Sequence, residues 1–255
     1  MSEVRIALDP LNPAQYLACC GLFELLARRL PDLPARFHHD PRIPRRASLT
    51  LAGAGMDQVT TALAALKTAQ VSVVPGFSGD KAPVRMILPD GGQIELDWWL
   101  VPARKEKSKF KLWAGQQTTS KLVHDMQDAL PDGLEEELFD LRTPMSGRFG
   151  LDPRSAWTTL DFGSSPDTQE RDVYTYPATE MLAAIGLQGF RLRQIASRQY
   201  AYWLWDVPLP LIAARAACGG ALDEMQGPAF RFQIVKRNKS YSAFTYAQPF
   251  SGVRP

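Results

Sequence analysis

A run of small residues inside an apolar helix is the feature that most constrains the fold of this chain. Asn12 and Pro13 suit the N-cap and first turn of a helix, and apolar side chains then recur at helical spacing up to Leu30. Pro31 ends the segment. Residues 18–21 read Ala-Cys-Cys-Gly, which predicts a flat helix face that a sheet or a second helix can approach closely.

Nearly the same phrase returns far along the chain. Residues 17–22 read LACCGL and residues 182–187 read LAAIGL, each a few residues after Pro-Ala. The phrases differ only where Cys19 and Cys20 are replaced by Ala and Ile, a replacement that packing permits and nucleophilic chemistry does not. The two cysteines are therefore interpreted as packing residues. The repeated phrase predicts two equivalent helices that hold two halves of a scaffold.

The remaining pattern predicts an α+β fold, with mixed, largely antiparallel sheets, several packed helices and β-hairpins, because strands and helices interleave without strict βαβ order. Strands are predicted at 4–9, 47–53 and 200–207, and helices at 56–70, 119–130, 178–190 and 210–219. Hairpins are predicted at 84–100, around Pro-Asp-Gly-Gly, and at 230–247, with a turn near Asn238.

Segment 161–172 is the expected flexible loop and suggests a division of the chain. Residues 1–160 would form an N-terminal α+β part that carries a basic segment at 104–121. Residues 161–255 would form a C-terminal α+β part that ends in a hairpin with a basic tip. A length of 255 residues also fits a single domain, which is the alternative.

The composition indicates the cellular setting. The chain has three cysteines and a formal net charge of +2, which is typical of a reduced, cytosolic protein and makes the total charge uninformative about partners. The N-terminus carries charges where a signal peptide needs an apolar core, and no run reaches the length of a membrane span. We therefore expect a cytoplasmic protein with no membrane partner.

No catalytic motif is recognisable in the sequence. The spacings of a phosphate-binding loop, a nucleophile elbow, a zincin helix and a dinucleotide-binding loop do not occur. The histidines are His38, His39 and His124. Because neighbouring side chains of a strand point apart, His38 and His39 do not suit one metal ion. We expect that the chain is not an enzyme and that it holds neither a metal nor a cofactor.

Basic residues are concentrated at 104–121, where lysines occupy every second position from Lys105 to Lys111. In an extended segment this period places four ammonium groups on one face, and Trp113 and a polar cluster follow. The combination suits a phosphate backbone with nearby bases. The candidate binding residues of this segment are Arg104, Lys105, Lys107, Lys109, Lys111, Gln116, Gln117, Thr118, Ser120 and Lys121. A solvated edge strand is the alternative.

Two other regions add candidate cations. Arg148 lies between glycines, where a short loop can aim one guanidinium at a phosphate or a base edge. A structural turn that pairs Arg148 with Asp152 is the alternative, and Arg154 of the same loop joins the candidate set. The tip of the closing hairpin suits either a clamp on nucleic acid or an exposed turn. Its candidates are Lys236, Arg237 and Lys239.

Five phrases, taken in order, resemble a subunit family of type I-U (also called I-G) CRISPR–Cas surveillance complexes. The phrases are LDPLNPAQYLACCGLFELL, KLWAGQQ, TPMSGRFGLDPRSAW, YPATEMLAAIGLQGFR and FTYAQPFSG. The resemblance runs from near the N-terminus to the C-terminus. At 255 residues the chain is short for a large subunit, and a separate small subunit would then supply the missing helical part.

The resemblance implies a non-catalytic subunit of a CRISPR RNA-guided interference (Cascade-like) complex in antiviral defence, in the large-subunit role. That role includes recognition of the motif beside the target, opening of the duplex and docking of the helicase–nuclease. The implied partners are CRISPR guide RNA, target DNA, the other subunits and the helicase–nuclease. On this reading Gln116, Gln117 and Arg148 are the candidates for base-edge contacts.

Two other functions stay open at this stage. A guide-RNA-processing endoribonuclease would need a general acid or base, for which the three histidines are the ordinary candidates. A purely structural adaptor of the complex would make no nucleic-acid contact.

Overall fold

The structure is a computed structural model, and it describes residues 2–101, 106–113, 117–131, 138–155, 174–222, 227–237 and 241–251. The α-helices within these ranges are α1 (Pro13–Ala27), α2 (Met56–Lys67), α3 (Thr119–Asp128), α4 (Pro177–Gly189) and α5 (Leu211–Cys218). The strands are β1 (Glu3–Leu8), β2 (Ala35–His39), β3 (Ala47–Ala52), β4 (Gln70–Val73), β5 (Val84–Ile87), β6 (Gln93–Leu96), β7 (Leu100–Val101), β8 (Glu106–Lys107), β9 (Thr143–Pro144), β10 (Tyr174–Thr175), β11 (Arg193–Ala196), β12 (Gln199–Trp203), β13 (Ala229–Lys236), β14 (Ser242–Phe244) and β15 (Gln248–Pro249).

The N-terminal sheet is antiparallel, with the strand order β1-β3-β2. Residues of β1 alternate between exposed and buried, as expected for a strand with one face on the core. The register aligns Arg5 with Thr50 and Thr50 with Arg36, so these three residues form one row across the sheet. Because the opposite face carries the apolar residues, this row lies on the face turned away from the core.

Two further antiparallel sheets follow. The sheet β4-β5-β6 contains the predicted hairpin, and the C-terminal sheet has the order β11-β12-β13-β14, with β15 also paired to β13. The pair β13–β14 is the predicted closing hairpin. Its turn, at 238–240, lies outside the described residues. The strand pairs β7–β8 and β9–β10 form two separate two-stranded sheets.

Helices α1 and α4 cross at the two glycines of the repeated phrase. A Cβ atom placed on Gly21 would overlap the carbonyl oxygen of Leu182 and lie 2.9 Å from the amide nitrogen of Gly186. A Cβ atom on Gly186 would overlap the carbonyl oxygen of Leu17 and lie 3.0 Å from the amide nitrogen of Gly21. The two backbones therefore touch directly, as the flat small-residue face predicts, and the contact is reciprocal.

Every residue of α1 is buried, so this helix lies at the centre of the molecule. Its N-terminus follows the sequence prediction, because Oδ1 of Asn12 accepts hydrogen bonds from the amides of Ala14 at 3.0 Å and Gln15 at 3.4 Å. Glu24 is buried on α1 and accepts two 2.6 Å hydrogen bonds from the guanidinium of Arg215 on α5. This pairing satisfies a carboxylate that burial alone would destabilise.

An aromatic cluster joins α1 to the N-terminal and C-terminal sheets. The ring of Tyr16 stacks on Tyr202 with a centroid distance of 4.3 Å and on Phe37 at 5.3 Å. Trp205 meets Phe37 edge to face at 4.6 Å. The polar ends are satisfied, because the Tyr16 hydroxyl donates to the carbonyl oxygen of Trp203 at 2.9 Å and the Trp205 indole to that of Ala35 at 2.8 Å.

The α+β class is confirmed, while some element predictions need correction. Strands β2, β4 and β11 were not predicted, because their alternation is interrupted by charged or polar residues and each is short. Helix α1 ends at Ala27 rather than at Leu30. Beyond it, the amides of Arg29 and Leu30 both donate to the carbonyl oxygen of Leu26, which closes the last turn.

One hydrophobic core extends from Val4 to Ala247. It includes side chains from both of the parts, 1–160 and 161–255, into which the sequence suggests dividing the chain. None of the helices in the described ranges combines the length and the apolarity needed to cross a bilayer.

The glycine contact predicts how α1 tolerates substitution. Gly21→Ala should lower the free energy of unfolding by about 3 kcal/mol or more, because the added methyl group meets backbone atoms that cannot rotate away. Cys20→Ala is the matched control on the same helix, and should cost about 1 kcal/mol, since it removes one buried atom without a clash. Urea denaturation measures both. Equal losses in the two variants would contradict the close approach.

Candidate nucleic-acid interface

Three of the predicted binding segments meet in the folded chain. The amide of Ser242 on β14 donates to the carbonyl oxygen of Leu112 at 2.8 Å, and the amide of Phe244 donates to that of Gly150 at 3.2 Å. The side-chain amide of Gln117 donates to the carbonyl oxygen of Ser146 at 3.0 Å. We call the surface formed by residues 108–113, 117–121, 146–150, 235–237 and 241–244 the junction.

The junction depends on one glycine. Gly150 has a φ of +84°, and a Cβ atom on it would lie 2.9 Å from the carbonyl oxygen of Ser242 and 3.1 Å from the ring of Tyr241. The loop can approach β14 this closely only without a side chain. This is the close backbone approach that the glycines around Arg148 predict.

Arg148 and Arg237 both contact Tyr241. The Arg148 guanidinium lies over the Tyr241 ring, 5.0 Å from its centroid, and its Nε atom donates to the Tyr241 hydroxyl at 3.2 Å. The backbone amide of Arg237 donates to the carbonyl oxygen of Tyr241 at 2.9 Å. The Nε atom of Arg237 is shielded from solvent and has no hydrogen-bond partner among the described residues. Tyr241 thus contacts the guanidinium of Arg148 through its side chain and Arg237 through its backbone.

Two exposed lysines belong to the same segments of the junction. Lys236 is exposed on β13 and is directly opposite Ser242 in the register. Lys109 is exposed, and its Nζ atom lies 3.4 Å from the hydroxyl of Ser197 in the turn between β11 and β12. Arg198, which occupies the next position in that turn, was not among the predicted residues. Arg198 comes near Lys109 only through the contact between Lys109 and Ser197, which are 88 residues apart in sequence.

Among the described residues, the extended backbone that the predicted lysine-bearing face needs does not continue beyond Lys107. Strand β8 ends at Lys107, and a turn follows in which the amide of Lys111 donates to the carbonyl oxygen of Ser108 at 3.3 Å. The alternation in sequence therefore does not correspond to an extended backbone beyond β8. The side chain of Lys107 lies outside the described residues, as do Arg104, Lys105, Gln116 and Lys239.

Trp113 does not present its ring for base stacking. It is 1% exposed and packs edge to face against Trp99 at 5.1 Å and against Phe149 at 5.6 Å. The Nζ atom of Lys111 donates to the carbonyl oxygen of Trp113 and lies 4.8 Å from its ring centroid. The sequence prediction placed Trp113 at a binding surface, whereas the apolar area of its indole is part of the core.

Three polar candidates of the segment stabilise α3. The hydroxyl of Thr118 accepts the amide of Lys121 at 3.2 Å, which makes Thr118 the N-cap residue. Lys121 forms an ion pair with Asp125 one turn later, at 2.7 Å. Ser120 Oγ lies 3.5 Å from Nδ1 of His124, and its carbonyl oxygen lies 2.7 Å from the same nitrogen. These side chains have local roles in the helix.

Arg154 has a structural role and is not available for a ligand. Its guanidinium forms an ion pair with Asp152 at 2.7 Å, pairs with Asp140, and lies 3.5 Å from the centroid of the Tyr176 ring. Only 16% of the Arg154 side chain is exposed. The alternative pairing of Arg148 with Asp152 is therefore wrong, since Asp152 has Arg154 as its partner.

Asp152 and Glu180 form a buried acidic pair that fixes the loop at 146–155. Asp152 accepts a 3.1 Å hydrogen bond from the side chain of Asn12, the N-cap of α1. Glu180 on α4 accepts the amides of Asp152 at 2.9 Å and Leu151 at 3.3 Å. The loop that carries Arg148 is thereby tied to the start of both central helices.

The environment of Glu180 favours its neutral form. The pKa of the Glu180 carboxyl is raised from its ordinary value of 4.5 to about 7, first by complete burial and then by the charge of Asp152. The amide hydrogen bonds from Asp152 and Leu151 and the charge of Arg148 act in the opposite direction. A carboxyl group in the middle of the scaffold therefore changes its charge near neutral pH.

The three histidines do not share one site. His38 lies on the outer face of β2, whereas His39 faces Phe230 edge to face at 5.8 Å. His124 is held by Ser120. Within the part of the chain that the structure describes, no group of three or more histidine, cysteine, aspartate or glutamate side chains is placed to hold a metal ion.

Comparisons with protein-family models, with curated proteins and with solved structures find no match to this chain. The functional conclusion therefore depends on the residues themselves and on their arrangement.

A second basic surface was missed at the sequence level. Residues 36–46 contain four arginines against one aspartate, which is as basic as the segment at 104–121. The spacing of these arginines is irregular, so no periodicity marks them. Only the strand register brings Arg36 into line with Arg5.

The buried carboxyl predicts a pH dependence of stability. Between pH 4.5 and pH 7, folded Glu180 keeps a proton that the unfolded chain releases, so the stability due to this group is present below pH 4.5 and is lost as the pH rises through 7. Glu180→Gln should remove this loss, which amounts to about 3 kcal/mol.

Urea denaturation at pH 5 and pH 8 of wild type and Glu180→Gln measures the difference. Glu95→Gln is the control, because Glu95 is a partly exposed glutamate paired with Arg85 at the surface. A pH dependence that Glu180→Gln leaves unchanged would show that Glu180 does not titrate in this range.

Proposed function

We propose that this chain is a non-catalytic, nucleic-acid-binding subunit of a CRISPR RNA-guided interference complex in the cytoplasm, in the large-subunit role. The observation that carries the proposal is the convergence at the junction. Arg148 and Arg237 contact Tyr241, and Lys236 is opposite Ser242 in the register. Lys109 belongs to the segment that reaches β14 through Leu112. A surface of this kind suits a phosphate backbone.

Four of the five phrases that resemble the CRISPR subunit family are joined to one another in the fold. The phrase that contains α1 is joined to the loop at 143–157 through Asn12 and Asp152, and that loop is joined to α4 through Glu180. The amide of Ala247, in the last phrase, donates to the carbonyl oxygen of Leu11 in the first at 2.7 Å. The phrases thus form one connected framework with the junction at its surface.

The proposed role of each junction residue follows from its chemistry. Lys109 and Lys236 would make salt-dependent contacts to phosphates, because their ammonium groups are exposed. The Arg148 guanidinium already lies over the Tyr241 ring, which limits the side-chain entropy that Arg148 loses when it binds a phosphate or base edge. Arg237 would donate its unpartnered Nε atom to a phosphate or base edge. Duplex opening and docking of the helicase–nuclease are proposed on the resemblance alone.

The assembled complex provides the test. The chain should co-purify with guide RNA and the other subunits, and the double variant Lys109→Glu/Lys236→Glu should still assemble. Its affinity for target DNA should fall about tenfold or more, and the slope of log affinity against log salt should become shallower by about 1.4–1.8. Fluorescence anisotropy, measured between about 50 and 200 mM salt, gives both quantities.

The double variant Arg28→Glu/Arg191→Glu is the matched control. It reverses two exposed cations that line a different cleft, beside Glu95. If the junction variant binds target DNA like this control, the proposed interface is wrong. Cleavage of repeat RNA by the isolated chain without metal, abolished by a histidine substitution, would instead identify a guide-RNA-processing endoribonuclease.

A further inference from the structure

The outer face of the N-terminal sheet is a second concentration of positive charge, on a different surface from the junction. Its central row is Arg5, Thr50 and Arg36, one residue from each strand, and the next row is Ala7, Ser48 and His38. Adjacent strands are about 4.8 Å apart, so the two arginines of the central row flank Thr50 at roughly that distance on either side.

Charge on this face is poorly neutralised. Arg5 has a 3.7 Å contact with Glu3, and both side chains are about half exposed. No ion pair or hydrogen bond within the described residues involves the guanidinium of Arg36 or of Arg46. Arg46 lines an open cleft of about 610 Å³ next to Arg5, His38 and Ser48. Arginines in this arrangement attract a polyanion, and few internal ion pairs have to break when it binds.

Two polar atoms beneath the arginines have no partner. Thr50 is 2% exposed, and its hydroxyl makes no hydrogen bond. Nε2 of His38, in the next row, is likewise shielded and unpartnered. Buried polar atoms in folded proteins usually have a partner. Thr50 and His38 carry two of the eight unpartnered atoms among the described residues, and these two lie in neighbouring rows of one charged face, where a single ligand backbone would satisfy both.

The chemistry of the face favours a ribose–phosphate backbone. A phosphate oxygen between Arg5 and Arg36 would accept from both guanidinium groups and from the Thr50 hydroxyl. Burial, followed by the charges of Arg36 and Arg5, lowers the pKa of His38, so its ring is neutral at pH 7 and offers one nitrogen as an acceptor. The acceptor nitrogen of a neutral ring suits the donor of a ribose 2′-hydroxyl, a group that DNA lacks.

We propose that this sheet face binds the backbone of single-stranded RNA. Arg5, Arg36 and Arg46 contact phosphates, and Thr50 and His38 contact the phosphate and the 2′-hydroxyl between them. The outward residues of the two rows are small, hydroxylic, basic or imidazole side chains, with no Phe, Tyr or Trp on which bases could stack. Binding is therefore to the backbone and tolerates any base sequence. The inference stands apart from the junction and from the identity of the complex.

The experiment uses the purified full chain and two fluorescein-labelled 20-nucleotide strands of the same sequence, one RNA and one DNA. Fluorescence anisotropy at several salt concentrations gives their affinities. The double variant Arg5→Gln/Arg36→Gln should bind RNA about tenfold more weakly than wild type, with a salt slope shallower by about 1.4. The control Arg28→Gln/Arg191→Gln removes the same charge from exposed arginines elsewhere and should leave RNA binding unchanged.

A second variant separates binding from folding. Thr50→Val keeps the shape of the side chain and removes a hydroxyl that has no partner in the free protein, so the melting temperature should stay the same or rise. RNA affinity should fall about tenfold, the effect of one hydrogen bond to a charged group. A hydroxyl with only a structural role would lower the melting temperature and leave RNA affinity unchanged.

Three outcomes overturn the inference. They are no binding of wild type to the RNA strand, equal RNA affinity in Arg5→Gln/Arg36→Gln and its control, and equal affinity of wild type for RNA and DNA. The junction variant Lys109→Glu/Lys236→Glu, tested in parallel, should keep the RNA binding of the sheet face. Failure of the proposed function and failure of this inference therefore give different patterns.

Discussion

The direct contact between the backbones of α1 and α4 is the constraint on which the rest of the structure depends. Because Gly21 and Gly186 each touch the other helix, the two axes are held at one separation and one crossing point. The N-cap of α1 and the first turn of α4 then lie close enough for Asn12 and Glu180 to bond to the same residue of the loop, Asp152. The position of Arg148 at the surface is a consequence of that core geometry.

The charged residues of the chain divide into two groups with different consequences. Arg154 and Arg215 are bound to buried carboxylates, and their charge stabilises the scaffold. Lys109, Lys236 and the arginines of the N-terminal sheet face solvent on regular elements or tight turns. Composition alone cannot separate the groups, because a guanidinium is the same in both. The difference lies in whether a carboxylate is within reach after folding.

Local signals predicted much of the scaffold, while long-range pairing decided the candidate site. The caps at Asn12 and Thr118, the small-residue face of α1 and the hairpin at 84–100 depend on neighbouring residues, and each could be predicted. The predicted extended segment with its alternating lysines does not continue beyond β8, because a turn follows that strand. The row of Arg5 and Arg36 was missed, since it exists only through pairing to β3.

The central position of α1 also has a consequence for synthesis of the chain. Helix α1 is buried along its whole length, yet the helix that covers its glycine face begins at Pro177. At about 5–20 residues per second, roughly ten seconds or more separate the emergence of the two helices from the ribosome. During this interval the glycine face of an apolar helix is uncovered on the nascent chain, which makes it a binding site for chaperones that recognise apolar segments.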